Sequence, residues 1–441
     1  MTATNQFKPK PMYRRLALGV ALATGSLSVQ AAPPTFQDTR AMGMGGTGVA
    51  SARPSGAGFI NPALLANQHG EWHDDFALTL PSANARFADD EDVPDEIDAI
   101  QDTILALESS LSDLQSAGDI EDVQSEAGRL ADQLADVDGD TMRGDLGVGT
   151  SLASPDPNIA IGFHASGQLR ASIQGQVDPD DIDALRTFAE ADSPDPTDPE
   201  VQDALDTVEN PGSRGRVLAS AVVETGLSFA RQFQIQNERV SIGVTPKYVQ
   251  LRTFDYVENV DDFDDDDFDA SEHETKESNL NLNVGASMQL GENDQWTLGG
   301  SVRDLIPMSL DGRERIPGDN EDLEIDQREL NIRPQVTVGV AHSSGWHTLA
   351  ADLELNKREA FGYEADSQFL SLGGEVNVID WINVRGGLRQ NLASEKGADG
   401  IEEKTQLTAG VALSPWALRI EAGALVSADE IGASAELGMS F

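Results

Sequence analysis

At its end, over residues 430–441, the chain reads EIGASAELGMSF. Apolar side chains occupy every second position there and alternate with glycine, serine and glutamate. A period of two residues is that of a β-strand, in which successive side chains point to opposite faces of the sheet. One apolar and one polar face suit a barrel wall between lipid and a polar interior, although the strands of a soluble β-sandwich alternate in the same way.

The same period recurs along the chain and predicts fourteen strands. They lie at 73–87, 144–153, 158–176, 216–234, 239–255, 276–290, 295–307, 329–342, 346–358, 365–378, 381–391, 404–412, 416–426 and 430–441. Connections after even-numbered strands are tight, whereas most connections after odd-numbered strands are long, at 88–143, 178–215, 256–275 and 308–328. Short turns at one rim and long loops at the other are typical of an outer-membrane barrel. We therefore predict an all-β fold, a 14-stranded antiparallel transmembrane β-barrel over residues 72–441.

Tryptophan placement indicates which rim faces the periplasm. Each of the five tryptophans lies at the start of an odd-numbered strand, at Trp72, Trp296, Trp346, Trp381 and Trp416. Those starts share one rim, where an indole ring can be buried while its N–H stays in water. We predict that they are aromatics of the periplasmic rim. An even strand count returns the C-terminus to that side, where the terminal Phe441 resembles the signal that barrel-assembly machinery reads.

The N-terminus predicts export. Basic residues from Lys8 to Arg15 precede an apolar run, 16–29, that ends in small residues, so residues 1–31 match a signal peptide. No later stretch approaches 18 consecutive apolar residues, which excludes a helical membrane protein. The chain has no cysteine, so disulfides cannot stabilise it in an oxidising compartment. Together with the strand pattern, this predicts the outer membrane of a Gram-negative bacterium.

Charge is strongly acidic and concentrated in the long connections. The net charge is −46, and three presumed external loops carry 18, 12 and 10 acidic residues, together 40 of the 76. Such a surface repels DNA and other polyanions, so we expect no nucleic-acid partner. High salt would screen this repulsion, because the Debye length falls to about 3 Å at 1 M. We interpret the charge as a halophilic adaptation.

Metal binding and catalysis have little support in the sequence. The densest acidic run includes Asp264, Asp265, Asp266 and Asp267, which are weak candidates for a cation site, but it lacks the spaced ligands and the glycine of an EF-hand. A solvated acidic loop explains it better. The six histidines are scattered, and the serine-nucleophile motif GxSxG is absent. We therefore predict no enzyme and no cofactor.

The first long loop, 88–143, predicts a helical hairpin. Two sets of apolar residues repeat there at alternating spacings of three and four: Ile97, Ile100, Ile104, Leu107, Leu111 and Leu114, then Ile120, Val123, Ala127, Leu130, Leu134 and Val137. Two such stripes joined by a short turn describe an antiparallel pair of helices. The pair is either a lid above the pore or a docking surface for a protein partner. Two further short helices are predicted in 178–215, where Pro179 and Pro199 suit a first helical position.

Residues 32–71 lie between the leader and the first strand and show no strand period. Their glycines match the dinucleotide-binding pattern GxGxxG, but no strand precedes them and no βαβ unit follows, so we reject that function. Glycine also lets a backbone approach a wall closely. We therefore predict that residues 32–71 form an internal plug.

A family resemblance supports the plug. Residues 39–50, TRAMGMGGTGVA, followed by Asn61-Pro62-Ala63, resemble the mature N-terminus of the TraF-like putative conjugal transfer family of outer-membrane proteins. That group is similar to the FadL-type long-chain fatty-acid transporters, which are barrels with an N-terminal hatch. The resemblance implies a plug whose motif residues are Gly43, Gly45, Gly46, Gly48, Asn61, Pro62 and Ala63.

Two functions from different classes follow. The first is a FadL-like channel for passive uptake of a small hydrophobic molecule. The second is an envelope component of the conjugal transfer type, which recruits a protein partner through the external helical hairpin. In either case we expect contacts with outer-membrane lipid and with barrel-assembly machinery.

Overall fold

The computed structural model describes residues 36–67, 76–89, 93–112, 117–191, 207, 212–236, 238–259, 274–312, 329–393 and 400–440. Within these residues the dominant element is a closed barrel of fourteen antiparallel strands. Its strands are β1 (Ala77–Asp89), β2 (Thr141–Ser154), β3 (Ala160–Gln176), β4 (Arg214–Ile235), β5 (Glu238–Asn259), β6 (Glu274–Leu290), β7 (Trp296–Arg303), β10 (Gln335–Ser343), β11 (His347–Glu354), β12 (Phe369–Ile379), β13 (Ile382–Asn391), β14 (Gln406–Leu413), β15 (Leu418–Val426) and β16 (Glu430–Ser440). The predicted fold class, a 14-stranded antiparallel barrel, is confirmed.

Each strand pairs with its neighbours in the chain, and β16 closes the barrel against β1, with Ala77 opposite Ser440. The exception is between β7 and β10, which pair directly because β8 (Met308–Asp311) and β9 (Glu329–Ile332) form a separate two-stranded ribbon. Tight turns join β2 to β3, β4 to β5, and so on around one rim, which we call the turn rim. The long connections lie at the other, the loop rim.

Two strand predictions were wrong in this region. The predicted strand 329–342 is two strands, β9 and β10, which separate at Arg333 and Pro334. Proline has no N–H to donate to a sheet ladder, so the chain leaves the ribbon there before joining the wall. The predicted strand 295–307 ends at Arg303, because Asp304 has a φ of 53° that interrupts the extended backbone. Residues 308–311, predicted as loop, form β8.

Side chains alternate across the wall as the sequence requires. In β16 the apolar Ile431 is 63% exposed on the outer face, while its neighbour Glu430 is buried inside. In β6 Leu280 is 68% exposed, and Asn281 is buried. An apolar outer surface around a polar interior is the arrangement that a lipid-facing barrel needs. Among the described residues, no helix is long and apolar enough to cross a membrane.

Three helices lie in the connections at the loop rim. They are α3 (Val93–Ser112) and α4 (Ala117–Val137), between β1 and β2, and α5 (Pro179–Ala189), between β3 and β4. We call them the helical unit. They share one apolar core, which includes Leu107, Leu130 and Phe188. The helix α5 begins at Pro179, as predicted, and the predicted helix at Pro199 falls outside the described residues.

Residues 36–67 occupy the barrel lumen and are called the N-terminal segment below. They contain two short helices, α1 (Thr39–Gly43) and α2 (Pro54–Ile60), and the 3₁₀ helix Pro62–Ala66. The first helix contacts β13 to β16 and β1, the second β1 to β4, and the third β3 to β6. Because these contacts reach almost all the way around the wall, the segment lies across the lumen.

The lipid-facing assignment predicts a large effect at Leu372, an exposed apolar residue on the outer face of β12. Leu372→Arg should lower the free energy of unfolding from lipid vesicles by about 2–4 kcal/mol, because it places a charge in hydrocarbon. Leu372→Met is the matched control and should change it little. Guanidinium unfolding of both variants measures the difference, and an equal effect would contradict lipid contact at this face.

Candidate lumen site

The predicted plug motif lies where the N-terminal segment touches the wall. Gly45 has a φ of 66°, a conformation that glycine adopts without strain, and its amide N–H donates to Oγ1 of Thr408 at 2.8 Å. The wall is also glycine here. A Cβ at Gly387 would lie 2.3 Å from the Gly45 nitrogen, and one at Gly285 would lie 2.0 Å from Oδ1 of Asn61. Glycine on both sides lets the two backbones approach.

Asn61 joins the N-terminal segment to β6. Its Nδ2 donates to the carbonyl oxygens of Val49 at 2.7 Å and Ala286 at 3.2 Å. Its Oδ1 accepts from the Ala63 amide at 3.1 Å and so caps the 3₁₀ helix, whose first residue is Pro62. One fully buried amide therefore satisfies backbone groups of the segment and of the wall together.

A wall carboxylate holds the glycine-rich part of the segment. Oδ2 of Asp352, on β11, accepts from the backbone amides of Gly48 at 2.7 Å and Val49 at 2.9 Å. Two successive amides pointing at one oxygen form an anion-binding concavity. The glycine pattern thus binds an anion, but the anion is a side chain of the same protein.

A buried network of arginines and glutamates, the lower network, ties α1 and α2 to the wall strands β12 to β16. Its members are Arg40, Arg53, Glu375, Arg385, Arg419, Glu421 and Glu436. From the segment, Arg53 reaches Glu421 at 2.8 Å and Glu375 at 3.2 Å. Burial lowers the pKa of Arg53 to about 10, although both glutamates act to raise it. Each charged member of the network therefore has at least one partner of opposite sign, which offsets the cost of its burial.

A second network, the upper network, crosses the lumen nearer the loop rim. Its members are Arg86, Arg143, Asp145, Arg170, Glu364, Glu403 and Glu430. Two of its glutamates come from connections that fold into the lumen: Glu364 lies between β11 and β12, and Glu403 between β13 and β14.

The pKa values of the two inserted glutamates are shifted in opposite directions, although Arg143 attracts both carboxylates. Burial raises the pKa of Glu403, but attraction to Arg143 and Arg86 outweighs it and leaves that pKa well below its usual range. Burial also raises the pKa of Glu364, and this effect is larger than the opposing attraction to Arg170 and Arg143. Arg143 is only 1% exposed, so its guanidinium meets these carboxylates out of contact with solvent.

One part of the inner wall is apolar, and we call it the apolar cluster. Its wall residues are Leu218, Val222, Val249 and Leu251, on the loop-rim halves of β4 and β5. The ribbon of β8 and β9 covers them with Met308, Leu310, Leu330 and Ile332, and the β11–β12 connection adds Phe361 and Tyr363. At the level of the upper network, where Ser220 lies opposite Arg170, the chain thus buries an apolar surface that faces the lumen rather than lipid.

Two small cavities lie between the N-terminal segment and the loop rim. The first, of about 50 Å³, reaches from Phe361 of the apolar cluster past Arg170 to Arg389. The second, of about 40 Å³, lies against the segment at Phe36 and also reaches Arg389, with Arg303 on its wall. Both are partly open, and Gln37, Arg358, Phe369 and Arg389 line both of them.

The other predicted site residues have separate locations. Trp296, Trp346, Trp381 and Trp416 lie at the turn rim and are exposed. Trp72, Phe441 and the candidate metal ligands Asp264, Asp265, Asp266 and Asp267 fall outside the described residues. No group of three or more potential metal-binding side chains occurs in the part of the chain that is described.

Part of the two networks is predictable from the sequence and the rest is not. Strand alternation in the sequence places Arg385, Arg389, Arg419 and Glu421 on the inner face. Three of them, Arg385, Arg419 and Glu421, do meet there. Arg40, Arg53 and Glu375 were not singled out. Strand alternation could have placed Glu375 on the inner face, but nothing in the sequence pairs it with arginines more than 300 residues away.

Comparisons with known proteins give one family and one fold. The family model described as F plasmid transfer operon, TraF, protein matches residues 58–354, more than half of the chain. Comparison with curated proteins gave no match. A solved structure described as a TodX deltaS2S3 mutant monoaromatic hydrocarbon channel is similar, with a TM-score of 0.54 and 12% identity over 92% of this chain and 99% of that one. This score shows a shared barrel fold.

Two further solved structures are similar at lower scores. The Ralstonia pickettii toluene transporter TbuX has a TM-score of 0.46 and 12% identity, over 92% of this chain and 98% of that one. A Pseudomonas aeruginosa FadL homologue has a TM-score of 0.47 and 13% identity, over 93% of this chain and 98% of its own.

The lower network predicts that stability depends on Arg385, which bonds both Glu375 and Glu421. Arg385→Met should reduce the free energy of unfolding by about 1.5–3 kcal/mol, because Glu375 and Glu421 each lose a charge-assisted hydrogen bond while keeping their other arginine partners. Arg231→Met is the control, since Arg231 is exposed on β4 and its side chain makes no ion pair with the residues that the structure describes. It should cost less than about 0.5 kcal/mol. Equal losses in the two variants would count against a network that is both buried and paired.

Proposed function

This chain belongs to the family described as F plasmid transfer operon, TraF, protein, and within that family we propose that it is an outer-membrane barrel for passive uptake of a small hydrophobic molecule. In this proposal the N-terminal segment is the plug. A fold shared with a structure described as a monoaromatic hydrocarbon channel supports this class of function. An apolar outer face, with exposed leucine, isoleucine and valine around the wall, supports the membrane location.

The observation that carries the proposal is the apolar cluster. Leu218 and Leu251 belong to the inner face of a barrel whose interior is otherwise rich in arginine and carboxylate. A water-filled pore does not need an apolar lining. An apolar molecule that binds there is stabilised by about 25 cal/mol of free energy for each Å² of apolar surface that it buries. The cover is a ribbon with four residues in each strand, β8 and β9, and Phe361 borders the first cavity.

The positions of the ribbon, the apolar cluster and the first cavity suggest a route through the lumen for such a molecule. A molecule that displaces the ribbon reaches the apolar cluster, and from Phe361 it enters the first cavity. It then meets the N-terminal segment, which the lower network and Asp352 hold against the wall. Passage requires the upper network to part and the segment to shift. Both are held by polar contacts that water can replace, whereas the wall itself stays closed by its backbone ladder.

Uptake of radiolabelled toluene by Gram-negative host cells tests the proposal. Cells that express the chain should take up toluene faster than cells without it. Leu330→Asp puts a charge into the apolar cluster and should return uptake to the level of cells without the protein. Leu105→Asp is the matched control, because Leu105 is 63% exposed on α3.

Heat-modifiable gel mobility checks that both variants are folded barrels. Uptake that is no faster than in cells without the chain, or that Leu330→Asp leaves unchanged while the barrel is folded, would refute the uptake function.

A second candidate is an envelope component that recruits a protein partner through the helical unit. What favours it is the independence of that unit, since α3, α4 and α5 bury a core of their own at the loop rim. Gln124 of α4 also donates from Nε2 to the carbonyl oxygens of Phe188 and Ala191, at 2.8 and 2.9 Å, which ties α5 in place. A channel that needs only a lumen has no requirement for such a unit.

Deletion of residues 93–138 separates the two candidates. Recruitment predicts a fall in plasmid transfer frequency between cells while the barrel assembles and toluene uptake continues. If transfer is unchanged and the barrel is folded, the helical unit has no role in conjugation.

A further inference from the structure

Arg389 is a buried arginine whose closest described contact is an aromatic ring rather than a carboxylate. It lies on the inner face of β13, four residues after Arg385, and is 6% exposed. Its guanidinium carbon is 3.4 Å from the centroid of the Phe369 ring. Among the described residues no hydrogen bond or ion pair reaches it, whereas Arg385 and Arg419 each bond a glutamate. A buried charge that bonds no carboxylate costs free energy, so its presence needs a reason.

Arg303 lies at the same cavity as Arg389 and is half-buried. It is the last residue of β7, lines the second cavity together with Arg389, and also has no hydrogen bond or ion pair within the described part of the chain. The arginines thus face one space from strands β7 and β13, which lie on separate parts of the wall.

The carboxylates on that cavity are already engaged. Glu354 accepts from Arg358 and from the Phe369 amide, and Asp352 accepts from Gly48 and Val49. Three arginines therefore line the second cavity against two carboxylates. The lining of the second cavity thus carries one more positive than negative side chain, and Glu354 is shared between Arg358, which it bonds, and the attraction of Arg303 and Arg389.

We propose that Arg303 and Arg389 form a binding site for a small carboxylate that carries an apolar group. A guanidinium presents parallel N–H donors that match a carboxylate, and its bonds to one are charge-assisted. The apolar group has a surface ready for it, because Phe36 and Phe369 line the same cavity and the first cavity leads from Arg389 to Phe361. The two cavities, of about 40 and 50 Å³, share four lining residues and are partly open, so they leave room for a short apolar group that extends beyond them and too little for a long acyl chain.

This inference rests on the proposed uptake function and narrows its substrate. The molecules that the barrel carries then include ones with an anionic end as well as an apolar one. The anion supplies the charge that the lining lacks, so binding stabilises the arrangement of the lumen instead of disrupting an existing ion pair.

Binding of radiolabelled benzoate to the full chain in detergent tests the site. Benzoate should bind, and benzyl alcohol, which is neutral and of similar size, should compete poorly. Arg389→Gln and Arg303→Gln should each weaken binding about tenfold or more, because each removes charge-assisted hydrogen bonds. Arg231→Gln is the matched control and should bind as the natural chain does, because Arg231 is exposed outside the lumen.

Neither lumen substitution breaks an ion pair, so the variants should fold, and heat-modifiable mobility checks this. A shift in the thermal unfolding of the natural chain by benzoate, but not by benzyl alcohol, gives a measurement that needs no variant. Benzoate binding that is absent, that both lumen substitutions leave unchanged, or that inorganic phosphate displaces more strongly than benzoate itself overturns the carboxylate site. Because binding is measured without a membrane, failure of toluene uptake with benzoate binding intact refutes the uptake function alone.

Discussion

Charged side chains that point into a closed barrel must find partners inside it. Water reaches them poorly, and an unpaired buried charge is costly. The lower network meets this constraint by combining Glu375 and Glu421 of the wall with Arg40 and Arg53 of the N-terminal segment. The segment is therefore part of the charge balance of the interior, and the barrel would be left with excess carboxylate without it. Nearer the loop rim, the upper network pairs buried arginines of the wall with glutamates from two connections.

The fold was largely predictable because a period of two residues is a local signal. The alternation of twelve residues predicts strand β16, and the recurrence of the same period along the chain predicts the number of barrel strands. The failures lie between β7 and β10, where strands β8 and β9 are too short to show a period and Pro334 divides a run that looks continuous. The family resemblance read from residues 39–50 and Asn61–Ala63 agrees with the family match over 58–354.

The site was less predictable because its contacts are distant in the chain. Parity alone places Arg385 and Arg389 on the same face of β13, yet one bonds two glutamates and the other bonds none. The difference depends on Glu421 and on the inserted connections, which no local pattern reports. The apolar cluster was hidden for a related reason. Leu218 and Leu251 belong to strands in which apolar residues occur on both faces, and only the ribbon shows which of them face the lumen.

The central claim is that the N-terminal segment, held by the wall charges, closes the lumen. Conductance of the protein in planar lipid bilayers tests it most directly, in the intact chain and in a chain lacking residues 32–70. Our account predicts little conductance from the intact protein and a steady open pore once the segment is removed. A large, steady conductance from the intact, folded barrel would contradict it.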